Sequence, residues 1–330
     1  MTKRALHFDQ SQPAVYGVAE QLSSRIERLL AHNPSPFTFR GTGVYIIGDG
    51  RSVGESRSVD ESRSDQKEGE SRNVGQSRSD QKESVAVIDP GPNDPAHVAS
   101  LLAAIGDRKV GHILITHTHR DHSPAAAPLK AATGARTYGF GPHGRYDDDV
   151  EEGGDREFVP DVIVKDGDVI AGDGYALQCV FTPGHTSNHM SYALEAEGAL
   201  FTGDHVMGWS TTVVAPPDGN MGDYMRSLEK LIARRDRILY PTHGSPITRP
   251  DSYLRAYLSH RRMREAQILR ALHRGRDTVP ALVETLYATI KPVLRRAASL
   301  TVEAHLKHMI EDGRVAALPD GRYKELSAAR

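Results

Sequence analysis

The stretch that most constrains this chain is residues 116–122, Thr-His-Thr-His-Arg-Asp-His, which directly follows an apolar run at residues 110–115. The apolar run is typical of a buried strand, and the histidines begin where it ends. If the alternation of the strand continues, the side chains of His117 and His119 point to the same side. Four potential ligands within six residues, three of them imidazoles, suit a divalent metal such as Zn²⁺, Mn²⁺ or Fe²⁺. The Ser-Pro pair at residues 123–124 then predicts the cap and first turn of a helix.

Three further predicted strands end on the same kind of residue. The strand at residues 175–181 leads through Pro-Gly to His185, the strand at 199–203 leads to Asp204, and the strand at 237–241 leads to His243. The recurrence of His or Asp at four strand ends predicts one shared site. His189 and His205 lie beside these positions, and we interpret them as either supporting neighbours or packed side chains.

Composition limits the compartment and the partners. With 330 residues the chain is long for one domain, and its single cysteine, Cys179, fits a reducing compartment. The N-terminal residues lack the apolar core of a secretory signal, and no apolar run is long enough to span a bilayer, so we expect a cytoplasmic protein without a membrane partner. The net charge of −2 indicates no nucleic-acid binding by the chain as a whole.

The charge is unevenly distributed between the two parts of the chain. From Thr248 onward there are 16 Lys and Arg against 9 Asp and Glu, about +7, whereas the rest has 25 against 34, about −9. A basic tail on an acidic body indicates either an anion-binding surface or a solvated helical surface.

A polar tandem repeat interrupts the first part of the chain. Residues 54–68 and 69–83 match at 12 of 15 positions and contain almost no apolar residue. Such a segment buries too little surface to offset the entropy of ordering, so we predict a disordered insertion at residues 51–84. Strands predicted at residues 43–48 and from 85 onward place it at the tip of a hairpin.

Other elements follow from local patterns. We predict a helix at residues 95–105, whereas residues 26–30 are compatible with a strand or a helix. After residue 248 the chain predicts three helices, one of them capped by Thr278, and a small β-wing near residues 315–323, which together are typical of a winged-helix domain. The predicted domains are therefore residues 1–247 and 248–330.

The histidine motif and its partners resemble the metallo-β-lactamase superfamily, whose pattern is His-x-His-x-Asp-His followed by separate His, Asp and His. The tail, with His-Arg-x-x-Arg-Glu at residues 260–265, is similar to that of the β-lactamase-like protein 2 family in the glyoxalase II-like group. The resemblance implies an α/β fold (of α+β type), an αββα sandwich with a C-terminal winged-helix domain. It also implies two divalent ions, most simply Zn²⁺, with Mn²⁺ or Fe²⁺ as alternatives. The implied ligands are His117, His119 and His185 for one ion, Asp121, His122 and His243 for the other, and Asp204 between them.

The resemblance implies hydrolysis by a hydroxide shared between the two ions, with Asp121 and Asp204 as the catalytic carboxylates. The leading hypothesis for the substrate is single-stranded RNA, because a characterised relative is an endoribonuclease and because the tail is basic. A small-molecule ester or thioester, cleaved as by glyoxalase II or an acyl-carrier-protein thioesterase, is the alternative. A non-catalytic module that binds nucleic acid or a partner is the third possibility. We also expect a homodimer through the C-terminal domain.

Overall fold

The computed structural model describes residues 6–48, 84–142, 144 and 153–326. The repeat at residues 54–83 lies outside the described residues. Two β-sheets face each other across an apolar core, and helices cover both outer faces. This arrangement confirms the predicted αββα sandwich, and a helical segment with a β-wing follows it.

The first sheet has seven strands that lie side by side in chain order. Its strands β3 and β4 pair antiparallel with Ile46 opposite Val87, as the predicted hairpin requires. Residues 26–30 form a fully buried strand, which decides the ambiguity left by the sequence. The strands are β1 (Ala19–Gln21), β2 (Ile26–Leu30), β3 (Gly43–Ile47), β4 (Ser84–Ile88), β5 (Lys109–Leu114), β6 (Arg136–Gly139) and β7 (Val162–Ile163).

The second sheet has five strands in the spatial order β12-β11-β10-β9-β8. Only β11 and β12 pair in parallel, so their carboxyl ends lie at the same edge of the sheet. The strands are β8 (Val169–Gly172), β9 (Tyr175–Phe181), β10 (Met190–Leu194), β11 (Ala199–Gly203) and β12 (Ile238–Pro241).

Three apolar cores hold these layers together. The core between the sheets packs Tyr45, Ile88 and Leu114 against residues such as Leu177 and Tyr192 of the second sheet. Outside the first sheet, helices α1 (Pro95–Ile105) and α2 (Ala126–Thr133) bury Leu101, Ile105 and Leu129. Outside the second sheet, α3 (Met221–Arg234) and the first half of α4 (Pro250–His273) bury Leu228, Leu254 and Tyr257.

Helix α4 belongs to two cores, because its second half packs with the C-terminal segment. There Ile268 and Leu272 contact the apolar faces of α5 (Val279–Leu286) and α6 (Arg295–Glu311). Thr278 caps α5 by accepting from the amide of Ala281, as predicted. The wing consists of β13 (Val315–Ala317) paired antiparallel with β14 (Tyr323–Glu325). The boundary between residues 247 and 248 stays a prediction.

The predicted helix start at Ser123 is wrong. Helix α2 begins at Ala126 after a cap at Ala125 that makes no side-chain hydrogen bond. The Ser123 hydroxyl instead donates to the Asp155 carboxylate at 2.7 Å, so it anchors a distant loop. Within the described ranges, no helix combines the length and hydropathy that crossing a membrane requires.

Candidate metal centre

The structure brings all seven predicted site residues together where the two sheets meet at one edge. The first four follow β5, and the other three follow β9, β11 and β12. Their ligand atoms form three overlapping groups, each with its members within 4.8 Å of one another. The groups are His117, His119 and His185; His117, His122 and Asp204; and Asp121, His122 and His243.

One half of the centre consists of imidazoles. His119 Nδ1 lies 2.9 Å from His117 Nε2 and 3.2 Å from His185 Nε2. Strand β5 ends at Leu114, before His117. The expectation that strand alternation continues through His117 and His119 is therefore wrong. The irregular backbone after Leu114 brings their rings together instead.

The other half combines carboxylates with imidazoles. Asp121 Oδ2 lies 3.3 Å from His122 Nε2 and 3.2 Å from His243 Nε2. Asp204 lies between the halves: its Oδ1 is 3.5 Å from His122 Nε2, and its Oδ2 is 3.4 Å from His243 Nε2 and 4.0 Å from His185 Nε2. One carboxylate therefore faces both halves of the centre.

The two halves differ in their electrostatics. Burial and the neighbouring imidazole of His122 hold the pKa of His117 well below 6.5, so its ring is neutral and its lone pair is available. Burial alone would lower the pKa of His243, but the carboxylates of Asp204 and Asp121 outweigh it and raise that pKa to about 10. The same ion pairs lower the pKa of Asp204 well below 3.8 although burial alone would raise it. The carboxylate half therefore attracts positive charge.

Two buried atoms in the centre test whether a cation fits. Among the described residues, His122 Nε2 and Asp204 Oδ1 have no hydrogen-bond partner, although they lie 3.5 Å apart in the interior. Buried polar atoms are normally paired, and leaving them unpaired is costly. A divalent cation among these nitrogen and oxygen donors would satisfy both atoms. The residues present therefore fit a metal centre.

Asp89 positions His122, and sequence reasoning missed it. The Asp89 carboxylate lies 2.8 Å from His122 Nδ1. It also accepts from the backbone amide and the hydroxyl of Thr116, each at 2.7 Å. A carboxylate on the far nitrogen of a ligand histidine fixes the tautomer and the ring orientation. The available signal was a fifth strand end, because Asp89 directly follows β4.

Other supports come from loops and main-chain carbonyls. Thr42 donates its hydroxyl to Asp121 Oδ2 at 2.9 Å. The Nδ1 atoms of His243 and His185 lie 3.1 Å and 2.7 Å from the carbonyl oxygens of Gly41 and Val213. In both histidines, Nε2 is left to face the centre. A sequence gives no signal for a main-chain carbonyl in such a role.

His189 and His205 are buried behind the centre and belong to none of the ligand groups. His189 Nδ1 contacts the Thr182 hydroxyl at 2.9 Å, and its ring centroid lies 5.2 Å from that of His117. The His205 ring packs against the Tyr224 ring in a tilted arrangement with 4.5 Å between centroids, and burial lowers the pKa of His205 to about 3. His205 is therefore a packed side chain, whereas His189 lies behind the ring of the predicted ligand His117.

Comparison with known families agrees with this fold. Residues 79–243 match the Metallo-beta-lactamase superfamily, and residues 278–323 match the Beta-lactamase associated winged helix domain. The chain belongs to the metallo-β-lactamase superfamily and is a hydrolase of that fold. Its His and Asp clusters can hold metal ions.

Among the relatives is the Beta-lactamase-like protein 2 homolog of Caenorhabditis elegans, 29% identical over 298 residues that cover 89% of this chain and 87% of that protein. The Atrochrysone carboxyl ACP thioesterase of Claviceps purpurea is 28% identical over 290 residues, 86% of this chain and 78% of that enzyme. A metallo-beta-lactamase family protein from Thermus thermophilus shares the fold with a TM-score of 0.69 and 22% identity, covering 93% of this chain and 100% of that one.

Proposed function

We propose that this chain is a metal-dependent thioesterase. The observation that carries the proposal is a mainly apolar cavity of about 190 Å³. Its wall includes Thr212 and Val213, which also contact Asp204 and His185 of the metal centre, respectively. A cavity lined mainly by aliphatic and aromatic side chains suits the acyl part of a thioester. A relative that aligns with 86% of this chain is named an ACP thioesterase, which also supports thioester hydrolysis.

The ligand assignment is part of the proposal. His117, His119 and His185 would hold one ion, Asp121, His122 and His243 would hold the other, and Asp204 would contact both. We propose Zn²⁺ for both positions, with Mn²⁺ or Fe²⁺ as alternatives. Divalent ions in such a centre supply Lewis-acid polarisation of a carbonyl and acidification of water.

The chain's own carboxylates have different tasks in this proposal. The Asp121 side chain is 16% exposed, whereas that of Asp204 is 2% exposed. Asp121 therefore faces the open side of the centre, where it can orient a water molecule and accept its proton. The Thr42 hydroxyl holds the Asp121 carboxylate in place, and Asp204 supplies negative charge to both halves.

Cleavage of single-stranded RNA is the second candidate, and the net charge of the tail favours it. In the structure, several of those basic side chains have acidic partners close by. Arg255 pairs with Asp251 at 2.9 Å, and Arg262 pairs with Glu229 at 2.6 Å. Each such pair reduces the charge available to phosphates. We therefore place thioester hydrolysis first. The predicted homodimer stays a prediction.

The test is a paired turnover assay on Zn²⁺- or Mn²⁺-loaded protein, with an S-acyl thioester and a labelled single-stranded RNA. We expect thioester cleavage that Asp204→Ala abolishes and that the matched change at an exposed aspartate, Asp107→Ala, retains. Cleavage of RNA alone would overturn the proposal in favour of the nuclease. Failure on both substrates, with two ions bound, would also reject the thioesterase.

A further inference from the structure

We propose that Arg261 binds a carboxylate on the acyl group of the substrate, so that the preferred substrate is a thioester of a short dicarboxylic acid. This inference rests on the proposed thioesterase function and names its substrate class. Arg261 belongs to the His-Arg-x-x-Arg-Glu motif at residues 260–265, and no residue of this motif is among the predicted metal ligands.

The cavity lies between the metal-binding layers and the C-terminal helices. Its apolar wall includes Phe37, Trp209, Tyr287, Ile290, Leu294 and Ala298. Its volume is about 190 Å³. A buried apolar cavity of about 150 Å³ accommodates one benzene molecule. The cavity therefore has room for about six carbon atoms, which is a short acyl chain or one ring.

Arg261 is the charged residue in the cavity wall, and it is 1% exposed. Among the described residues no carboxylate lies within ion-pair distance of it, whereas its neighbour Arg262 pairs with Glu229 at 2.6 Å. Its Nη2 donates to the Thr212 carbonyl, and its guanidinium lies 4.9 Å from the centre of the Tyr224 ring. Its Nε has no hydrogen-bond partner in the part of the chain that the structure describes. A buried charge without a counter-ion is strongly unfavourable.

A ligand carboxylate would provide the missing counter-charge. Arginine holds carboxylates through paired N–H donors, and such hydrogen bonds are stronger in a dry environment. Most of the rest of the wall is apolar, with hydroxyl groups at residues 210–212 and 301, so the body of the ligand should be mainly apolar and short. An acyl chain of about six carbons with a terminal carboxylate meets both requirements.

The cavity and the metal centre share one segment of chain. The Thr212 hydroxyl donates to the Asp204 carbonyl at 2.7 Å, and the Val213 carbonyl contacts His185 at 2.7 Å. The same Thr212 offers its own carbonyl to Arg261. The cavity therefore adjoins the segment that positions two proposed ligands, and the proposal places the thioester bond on the side of the cavity that faces this segment.

The experiment compares two six-carbon thioesters of N-acetylcysteamine, hexanoyl and adipoyl, which differ by the terminal carboxylate. We expect a higher kcat/KM for adipoyl, by about 10- to 100-fold, which corresponds to one charged hydrogen-bonded pair. Arg261→Met should remove this preference, and Arg261→Lys should restore part of it. The exposed neighbour provides the matched control, since Arg262→Met should keep the preference. A merely structural role of Arg261 would lower both rates together and leave their ratio unchanged, which would overturn the proposal.

Binding separates this inference from the thioesterase proposal. The S-hexyl and S-(5-carboxypentyl) thioethers of N-acetylcysteamine lack the cleavable carbonyl, and calorimetry on metal-loaded protein measures their affinities. Tighter binding of the carboxylate form that Arg261→Met abolishes supports the site even if no thioester is hydrolysed. Equal binding of the two thioethers rejects it even if thioesters are hydrolysed. Arg261-dependent binding of a short oligoribonucleotide, without thioether binding, would also reject it.

Discussion

The carboxylate of Asp89 lies 2.8 Å from Nδ1 of His122, and both residues are fully buried. This contact directs Nε2 of His122 toward Asp204 at 3.5 Å. The ring could not rotate without breaking the first contact, so Asp89 presets one donor of the metal centre before a metal arrives.

Substitution of Asp89 should weaken metal binding and stability together. The Asp89 carboxylate accepts from the amide and hydroxyl of Thr116 and contacts His122. The amide in Asp89→Asn has one oxygen, so it cannot accept all of these hydrogen bonds. We expect metal affinity to fall by about 10- to 100-fold and the unfolding free energy by about 1–3 kcal/mol. Titration against a chelating dye and urea unfolding measure the two effects. Asp107→Asn, at an exposed site, should change neither, and unaltered affinity in Asp89→Asn would contradict the positioning role.

Removal of one imidazole should abolish hydrolysis without unfolding the chain. His119 lies in the imidazole half and is only partly buried, so His119→Ala removes a donor with little loss of core packing. We expect loss of turnover, a lower metal content by elemental analysis and a nearly unchanged melting temperature. The exposed His273 supplies the control variant His273→Ala. Full activity in a His119→Ala protein that has lost metal would refute the metal mechanism.

A methyl group at Gly203 should disturb the centre from behind. Gly203 has φ +50°, and a Cβ there would lie 2.6 Å from His189 Nε2 and 2.8 Å from Thr116 Oγ1. We expect Gly203→Ala to cost about 1–3 kcal/mol through overpacking in addition to the backbone strain. Gly134→Ala isolates the strain, because Gly134 has φ +72° and open space around it. Equal melting temperatures for the two variants would show that the contacts of the added Cβ with His189 and Thr116 do not lower stability.

The C-terminal segment should show a pH-dependent stability that depends on Glu265. Its carboxylate contacts His308 Nδ1 at 2.7 Å and Arg314 Nη1 at 2.8 Å. Burial alone would raise the pKa of Glu265, but the contacts with His305 (3.5 Å), His308 and Arg314 hold that pKa well below 4.5. The hydrogen bond to Glu265 also raises the pKa of His308 above 6.5.

The signs of these shifts define a window of pH. The contribution of Glu265 is present above pH 4.5 and is lost as the pH falls further, whereas that of His308 is present below pH 6.5 and is lost as the pH rises through its raised pKa. Glu265→Gln should therefore cost most near pH 6, about 1–3 kcal/mol, and less near pH 3 or pH 9. Urea unfolding at the three pH values measures this. Glu229→Gln at an exposed pair should show little effect, and a pH-independent cost in Glu265→Gln would exclude the linkage.

The strand ends that carry His or Asp could be predicted from the sequence because they depend on local patterns, whereas the αββα sandwich and the division of the ligands between two ions were implied by the family resemblance. Apolar runs that end in His or Asp are visible in a sequence, and parallel or neighbouring strands bring such ends together. Asp89 also follows a strand, but an aspartate before Pro-Gly is typical of an ordinary turn, so its role was not apparent. The carbonyls of Gly41 and Val213 carry no residue-type signal, since any residue supplies a carbonyl.

Predictions at element boundaries failed where tertiary contacts outweighed local preference. Ser123 has the chemistry of a helix cap, yet the carboxylate of Asp155 attracts its hydroxyl from a loop that the sequence does not place nearby. Similarly, strand β5 ends before the histidines, and the backbone beyond it follows contacts such as the bond from the Met190 amide to the Thr116 carbonyl at 2.7 Å. Such contacts join residues far apart in the chain and have no periodic pattern.

Helix α4 is shared by two hydrophobic cores, so it joins the five-stranded sheet to the C-terminal segment. Its first half covers the strands that lead to Asp204 and His243, and its second half is the framework on which α5 and α6 assemble. Truncation of the chain before α4 would expose the outer face of the five-stranded sheet to water. We therefore expect α4, in addition to the two sheets, to help keep in place the metal ligands that follow β11 and β12.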